Sequence, residues 1–506
     1  MPLPVLRLTV LVVAVLAQLV AQEAPRRSPG GAPSEARPFV PGGAPTTAAS
    51  RPNFVFVQFE GTGAGWASTS VAMDDRLPAA KGPAGLTPAI ERLAAEGMRF
   101  SDFYVSAPRC TPARATFLTG IGAAKLGMTY VNEGGQERRG GEAGAGGGGQ
   151  GGGRGGQGGQ GGGRNREAAA PTEQKLVPPS SRPEFPAGTQ TIADVLGKAG
   201  YRSAHFGKWH VGRERPSRHG FAVDDGANTN LGPGREPKPN PEQALAITDR
   251  GLAFIDEQVA AKRPFYLQIS HYGGGSEDES RPETRLRLAQ QVRGGREKAL
   301  WQTAVLAEVD GQLARLLDGL DQRGLGANTY VFVSFDHGMS GRNSNAPLTG
   351  GKGSVREGGV RVPFLVRGPG VDKSLCSHVR ASGADLLPTI ADLAGLKEWP
   401  KEVEGGSLAA VLRGKGKGAV ARPREEFVVH FPHYDLGNGG PASAIWLEEH
   451  KLIRVDETGA LELYDLAVDP DEQRNLASKE PKLVAELVAK LDAYLDAIGA
   501  ARAMPK

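Results

Sequence analysis

Cys110, Pro112 and Arg114 form a C-x-P-x-R segment whose residue types and spacing suit work on an anion. Pro112 is placed to open a helix, and Ala115-Thr116-Phe117-Leu118 continues it. Cys110 then sits at the helix N-terminus, where free N–H groups and the helix dipole favour negative charge. Arg114, one turn on, can reach back to the same place. A buried structural cysteine fits the same local pattern. Glu60 ends one apolar run, and Asp336-His337-Gly338 ends another, Tyr330–Phe335. Ligands of open α/β sheets bind beyond the carboxyl ends of the strands. Two carboxylates and an imidazole can therefore meet at one edge, an oxygen-rich set that suits Ca²⁺ or Mg²⁺. Taken alone, Asp-His-Gly also reads as a strand-end turn.

The elements that must position these groups alternate strand and helix. Phe54–Val57, Phe265–Ile269, Tyr330–Phe335 and Val362–Val366 read as buried strands. Thr87–Gly97 reads as a helix with Thr87 as N-cap, Pro88 at the first position and Gly97 at the stop. Thr191–Gly200 is another. Trp301–Gly324 is a long one, with Val305, Val309, Leu313, Leu316, Leu317 and Leu320 on one face. The pattern predicts an α/β domain over 51–425, with a largely parallel central sheet flanked by helices. From 426 to 506 it predicts a smaller C-terminal α+β subdomain. Its short strands are Phe427–Val429, Ser443–Trp446, Lys451–Val455 and Leu461–Tyr464, and Leu483, Leu487 and Leu491 mark a terminal helix.

The chain has 506 residues and a formal charge of +4. That balance speaks against a dedicated nucleic-acid binder and is compatible with an anionic substrate. Residues 1–22 carry Arg7, an apolar run from Leu8 to Leu16, and small residues around Ala17 and Ala21. The run falls short of the roughly 20 apolar residues that span a bilayer. It reads as a secretory signal cleaved near Ala21, which predicts an exported protein, periplasmic or extracellular, without stable membrane insertion. Residues 23–50 read as a disordered linker, and 134–166 as a glycine-rich flexible insertion without aromatics for base stacking. The two cysteines, Cys110 and Cys376, rule out a disulfide scaffold. In an exported chain, chemistry explains one of them better than pairing does.

Cys110-x-Pro112-x-Arg114 with Leu118-Thr119-Gly120 resembles the signature of the formylglycine-dependent sulfatases, C-x-P-S-R-x-x-x-L-T-G. Further segments resemble the same family in order. They are Arg51–Val55, Thr87–Leu93, Gly207-Lys208-Trp209-His210-Val211-Gly212, Asp336–Gly338, Lys352 through Glu357-Gly358-Gly359-Val360-Arg361-Val362-Pro363, and Glu462–Leu466 with Asp469 to Leu476. The resemblance implies the alkaline-phosphatase-like fold and hydrolysis of a sulfate ester on a sulfated small molecule or glycan. It implies that a formylglycine-generating enzyme oxidises Cys110 to formylglycine, whose hydrate attacks sulfate and later helps to expel it. By position, Arg114 steadies the hydrate and His210 contacts it. Lys208 and Lys352 hold sulfate, and Glu60, Asp336, His337 and the modified Cys110 bind Ca²⁺ or Mg²⁺. Outside this motif set the two lysines read as solvated surface.

The departures from the family pattern are specific. Glu60-Gly61 stands where the family has two metal-binding aspartates, so a water or another side chain must complete the site. Asp74 and Asp75 are the nearest carboxylates in sequence, and an aspartate at 61 is expected to tighten metal binding. Ala113 replaces the usual serine. The family's catalytic histidine after the Phe265 strand falls on Gly275 in ungapped register, which leaves His271 as the substitute on the substrate side. Two rival functions follow. One is a phosphate or phosphonate ester hydrolase of the same superfamily. The other is a catalytically degenerate protein that binds sulfated glycans.

A flexible loop makes few contacts. Deleting Gly140 to Gly163 is expected to change unfolding free energy by no more than about 1 kcal/mol. Thermal denaturation checks this, and a large fall in Tm would show a packed tract.

Overall fold

A computed structural model of the protein describes residues 51–61, 67–131, 174–228, 241–273, 279–290, 297–339, 345–435 and 440–506. The expected signal, the 23–50 linker, the glycine tract and Gly275 lie outside the described residues.

The main sheet has eight strands. They are β1 (Asn53–Phe59), β2 (Met98–Phe100), β3 (Arg202–Gly207), β4 (Val223–Asp224), β5 (Phe265–Ser270), β6 (Thr329–Phe335), β7 (Phe364–Arg367) and β8 (Leu375–Ser377). Their spatial order is β8-β2-β7-β6-β1-β5-β3-β4. β1, β5 and β6 are buried along their whole length, as continuous apolar runs in the middle of a covered sheet must be. β1 lies parallel to both β5 and β6. β7 alone runs against its neighbours, β2 and β6. It begins at Phe364 and not at Val362, because Pro363 has no N–H to give the ladder.

The register decides what meets at the carboxyl edge. Phe59 pairs with Phe335 and Gln58 with Ser270. Glu60 and Asp336 therefore leave the sheet at one level, and His271 stands one residue earlier, level with Phe59. The Asp336 N–H donates to Phe59 O at 3.2 Å, and the His271 N–H donates to Gln58 O at 3.0 Å.

The helices that matter here are α1 (Pro88–Glu96), α2 (Cys110–Thr119), α3 (Ile192–Lys198), α4 (Glu242–Ala260), α5 (Glu297–Gln322) and α6 (Pro481–Ala497). α2 starts at Cys110, two residues before the proline expected to open it, with Arg109 as N-cap. α5 starts at Glu297, ahead of the expected Trp301. α3 is capped as a reciprocal box between Thr191 and Asp194. α1 is capped differently from the expectation. Thr87 occupies the N-cap position, but its hydroxyl accepts from the Ser70 N–H at 2.8 Å. The free helix N–H groups of Ala89 and Ile90 donate instead to Asp310 of α5, at 2.9 and 3.0 Å.

A second, antiparallel sheet contains β9 (Phe427–Phe431), β10 (Ala442–Leu447), β11 (His450–Val455) and β12 (Ala460–Asp465), in that order. α6 covers it: Leu487, Leu491 and Leu495 pack with Ile445, Leu452 and Leu463. Among the described residues, no helix is long and apolar enough to cross a membrane.

Asp310 is buried, and that burial pushes its carboxyl up to about 7 despite the two N–H donors. The folded state therefore holds a proton that the unfolded chain releases near its ordinary, lower pKa. The stability Asp310 contributes is fully present below that ordinary value and falls as pH rises towards 7. Asp310→Ala is expected to cost about 1–3 kcal/mol by orphaning two helix N–H groups. Urea unfolding should show a larger loss at pH 5 than at pH 8.

Candidate active site

The carboxyl edge of β1 and β6 carries a buried cluster built around Cys110. Its sulfur lies 3.3 Å from Glu60 Oε1, 3.1 Å from His337 Nε2 and 3.5 Å from Lys352 Nζ. Both carboxylates are anchored by hydrogen bonds. Glu60 Oε2 accepts from Lys208 Nζ and, at 3.2 Å, from Arg114. Glu60 Oε1 faces Cys110, His337 and Lys352. Asp336 Oδ2 takes Arg114 at 3.0 Å, and Oδ1 takes the Gly61 N–H at 2.8 Å. His337 Nδ1 lies 2.9 Å from Gly338 O, which places Nε2 towards Glu60 and Asp336. Glu60, Cys110, Asp336 and His337 thus present four donor atoms within 4.8 Å of one another. Two carboxylates and an imidazole pinned through its other nitrogen are a donor set that fits a divalent cation.

The cations prevail at Cys110 and Glu60, whereas burial and the neighbouring Glu60 push Asp336 up. Burial and Glu60 push the Cys110 thiol up, yet Lys208, Lys352 and His337 outweigh both and leave it well below the usual thiol value. Burial likewise pushes Glu60 up, and Lys208, His337 and Lys352 hold it well below the usual carboxylate range. Burial pulls the His337 imidazole down, but Asp336 and the Cys110 sulfur hold it at about 9. A group at position 110 is therefore stabilised in its anionic form.

Local backbone explains how the lysines and His210 arrive. β3 ends at Gly207, and Lys208 follows with its N–H on Ser270 O at 2.8 Å. His210 adopts φ 53°, a left-handed conformation that costs energy for a non-glycine residue. Asn228 holds this bend. Its side chain accepts from the Trp209 N–H at 2.8 Å and donates to Gly207 O at 2.9 Å, and its carbonyl takes the His210 N–H at 2.9 Å. Burial and Lys208 lower the His210 imidazole, so it is a neutral base or donor beside Cys110. Lys352 is brought in by backbone packing. The Gly338 N–H donates to Gly359 O at 3.0 Å, and a Cβ on Gly338 would lie 1.7 Å from Gly358 O. The Asp-His-Gly turn and the Glu-Gly-Gly turn touch through bare backbone.

The structure brings together Glu60, Cys110, Arg114, Lys208, His210, Asp336, His337 and Lys352. It does not bring in His271. That ring lies edge-on to Phe59, and burial alone lowers it to about 4. No described contact joins it to the Cys110 cluster. Asp74 and Asp75 do not fill the gap left by Gly61. Asp74 is held by Arg76 and Arg361, and Asp75 by His378 at 3.1 Å. Two neighbours of the site escaped sequence reasoning. Arg109 pairs with Asp435, which lies just beyond β9, and its guanidinium sits over the Tyr130 ring. Asp435 and Asn228 carry no local pattern that marks them.

The sulfatase family model matches residues 52–396, and the C-terminal model of N-sulphoglucosamine sulphohydrolase matches 351–500. The chain belongs to the sulfatase family. It is a sulfuric ester hydrolase of the alkaline-phosphatase-like superfamily. It is 27% identical to human arylsulfatase A over 491 residues, covering 82% of this chain and 84% of that protein. It is 26% identical to an ulvan-active sulfatase of Formosa agariphila, covering 89% and 82%. A solved structure in complex with its substrate, D-glucosamine-2-N,6-O-disulfate, shares the fold with a TM-score of 0.59 at 18% identity, covering 89% of this chain and 98% of the other.

Position 61 has no room for a side chain. A Cβ at 61 would stand 1.9 Å from His337 O and 2.6 Å from His337 Nδ1. The expectation that an aspartate tightens metal binding is therefore reversed. Gly61→Asp should displace His337, cost about 3 kcal/mol or more, and weaken divalent-cation binding. Chemical denaturation and metal titration of both proteins check this.

Proposed function

We propose that this protein is an exported sulfatase that hydrolyses a sulfate ester of a sulfated carbohydrate. Cys110 is its formylglycine precursor, and Glu60, Asp336 and His337 hold one Ca²⁺ or Mg²⁺. The observation that carries the reading is the positive, water-poor cluster that surrounds Cys110 with Lys208, Lys352 and Arg114. When present, the formylglycine hydrate supplies the attacking oxygen and the cation polarises the sulfate. The chain's own residues do the rest. Lys352, at the outer side of the cluster, and Lys208 neutralise sulfate oxygens. Arg114, tied to Asp336, Glu60 and the Lys208 carbonyl, fixes residue 110 and both carboxylates as one unit. His210 holds or moves a proton at residue 110.

Both the named substrate of the disulfate complex and the ulvan-active relative support a sulfated sugar as substrate. The segment at 1–22 supports export. The phosphate-ester rival would use the same lysines, and paired sulfate and phosphate ester assays separate the two. The glycan-binding rival draws on the position of His271, since a missing general acid costs about 10²–10⁴ in rate.

Peptide mapping of protein from its native host should find formylglycine at 110, at partial stoichiometry because Ala113 departs from the recognition pattern. A peptide carrying only unmodified cysteine there would sink the proposal. Cys110→Ala should abolish turnover, and Lys352→Ala should lower kcat by about 10²–10³. Chelation should remove activity, and Ca²⁺ or Mg²⁺ should restore it. Failure to bind either ion at large excess, with sulfated glycan still bound, would favour the glycan-binding rival.

A further inference from the structure

We propose that Asp75, Cys376 and His378 form a second metal site, selective for Zn²⁺, at the edge of the main sheet. It is separate from the Cys110 cluster: β8, which carries Cys376, lies four places from β1 in the strand order. At the usual strand spacing that is about 19 Å.

One sulfur, one imidazole nitrogen and one carboxylate oxygen lie here within 4.8 Å of one another. Cys376 sits in β8, and His378 follows one residue past its end. Asp75 comes from the loop after β1, whose neighbouring residue Asp74 is fixed by Arg76 and Arg361.

The imidazole is pre-oriented. His378 Nδ1 lies 2.8 Å from Ser101 Oγ, and Ser101 Oγ lies 2.6 Å from Asp102 Oδ2. Asp102 is itself held by Arg361 at 3.0 Å. Ser101 has one hydroxyl hydrogen, and Asp102 takes it. His378 Nδ1 must then be the donor to Ser101, which turns Nε2 towards Asp75 Oδ1 at 3.1 Å. A carboxylate and an imidazole nitrogen that face each other need a cation between them, either a proton or a metal. The Cys376 thiol beside them, which donates to Met73 O at 3.4 Å, adds the soft donor that a metal would take in exchange for that proton. A carboxylate–hydroxyl–imidazole chain behind the ring is the support that metal-bound histidines carry.

The donor chemistry selects the ion. Sulfur, nitrogen and oxygen in one small set suit Zn²⁺, whereas Ca²⁺ and Mg²⁺ take oxygen. Asp75 and the Cys376 thiolate neutralise its charge. Asp75 and His378 are 52% and 41% exposed, so water can enter as the fourth ligand and the ion can exchange. Bound there, the ion ties the loop after β1 to the edge strand.

Full-length protein, stripped by chelator and loaded with Co²⁺, tests this without reference to turnover. A sulfur-to-cobalt charge-transfer band is expected in the near ultraviolet. In a Cys110→Ser background, where the Cys110 cluster offers no sulfur, it should be present and should vanish on adding either Cys376→Ser or His378→Gln. Zn²⁺ should displace the cobalt, and Mg²⁺ should not. Ser101→Ala, which removes the support of the ring but no ligand, should weaken Zn²⁺ binding by about 10–100-fold while the band remains at saturating Co²⁺. Absence of the band in that background, or its survival there with Cys376→Ser added, overturns the site. Cys376→Ser should leave ester hydrolysis unchanged.

Discussion

Burying two carboxylates and their cations at the carboxyl edge of one sheet is the constraint that the rest of this structure serves. An unpaired buried carboxylate costs several kcal/mol, so Glu60 and Asp336 are tolerable only with Arg114 and Lys208 in place. Those partners come from different elements. Arg114 rides on α2, Lys208 follows β3, and Lys352 arrives on the loop that packs on Gly338. The cations outnumber the carboxylates, and the surplus lowers the Cys110 thiol and makes the site a receptor for anions. Substrate charge and site charge are therefore two sides of one balance. A cation that binds at His337 Nε2 must displace the proton Asp336 holds there.

A second buried ionic junction secures the first. Lys451 of β11 bonds Glu357 at 3.0 Å and Glu472 at 2.7 Å, with all three side chains buried. Its ammonium also lies over the Trp446 ring. Glu357 opens the Glu-Gly-Gly turn that packs on the Asp-His-Gly turn, and Glu472 Oε2 takes the Glu357 N–H at 2.9 Å. The second sheet thus holds the active edge from behind, and through Asp435 it also reaches the approach to Cys110. Its part in the enzyme is to fix the turn that positions Lys352.

Glycine at position 61 is a backbone requirement of this site. With no Cβ, Gly61 lets His337 lie directly against the chain, while its N–H serves Asp336. The Glu60 carboxylate reaches both lysines. Close packing of the strand ends thus takes the room that a side chain at 61 would need.

The sequence by itself determined the α/β class, the buried central strands and most of the site. Short apolar runs rich in β-branched and aromatic residues fit covered strands, and Cys110, Arg114, Lys208, Asp336, His337 and Lys352 stand in motifs whose order is itself informative. Periodicity and capping chemistry also located α1, α3 and α5 to within a few residues, whereas α4 was not read from the sequence. What only the tertiary structure decided are relations between distant segments. Asp310 caps α1 across the fold, Asn228 holds the His210 bend, and Asp435 approaches Cys110 from beyond β9. Gly61 excludes a side chain because of His337, and His271 turns to Phe59 rather than to the charged cluster. Local sequence records how a residue treats its own turn of chain. It holds no record of which distant backbone will press against it, and at this site that contact sets both the charge balance and the room for ligands.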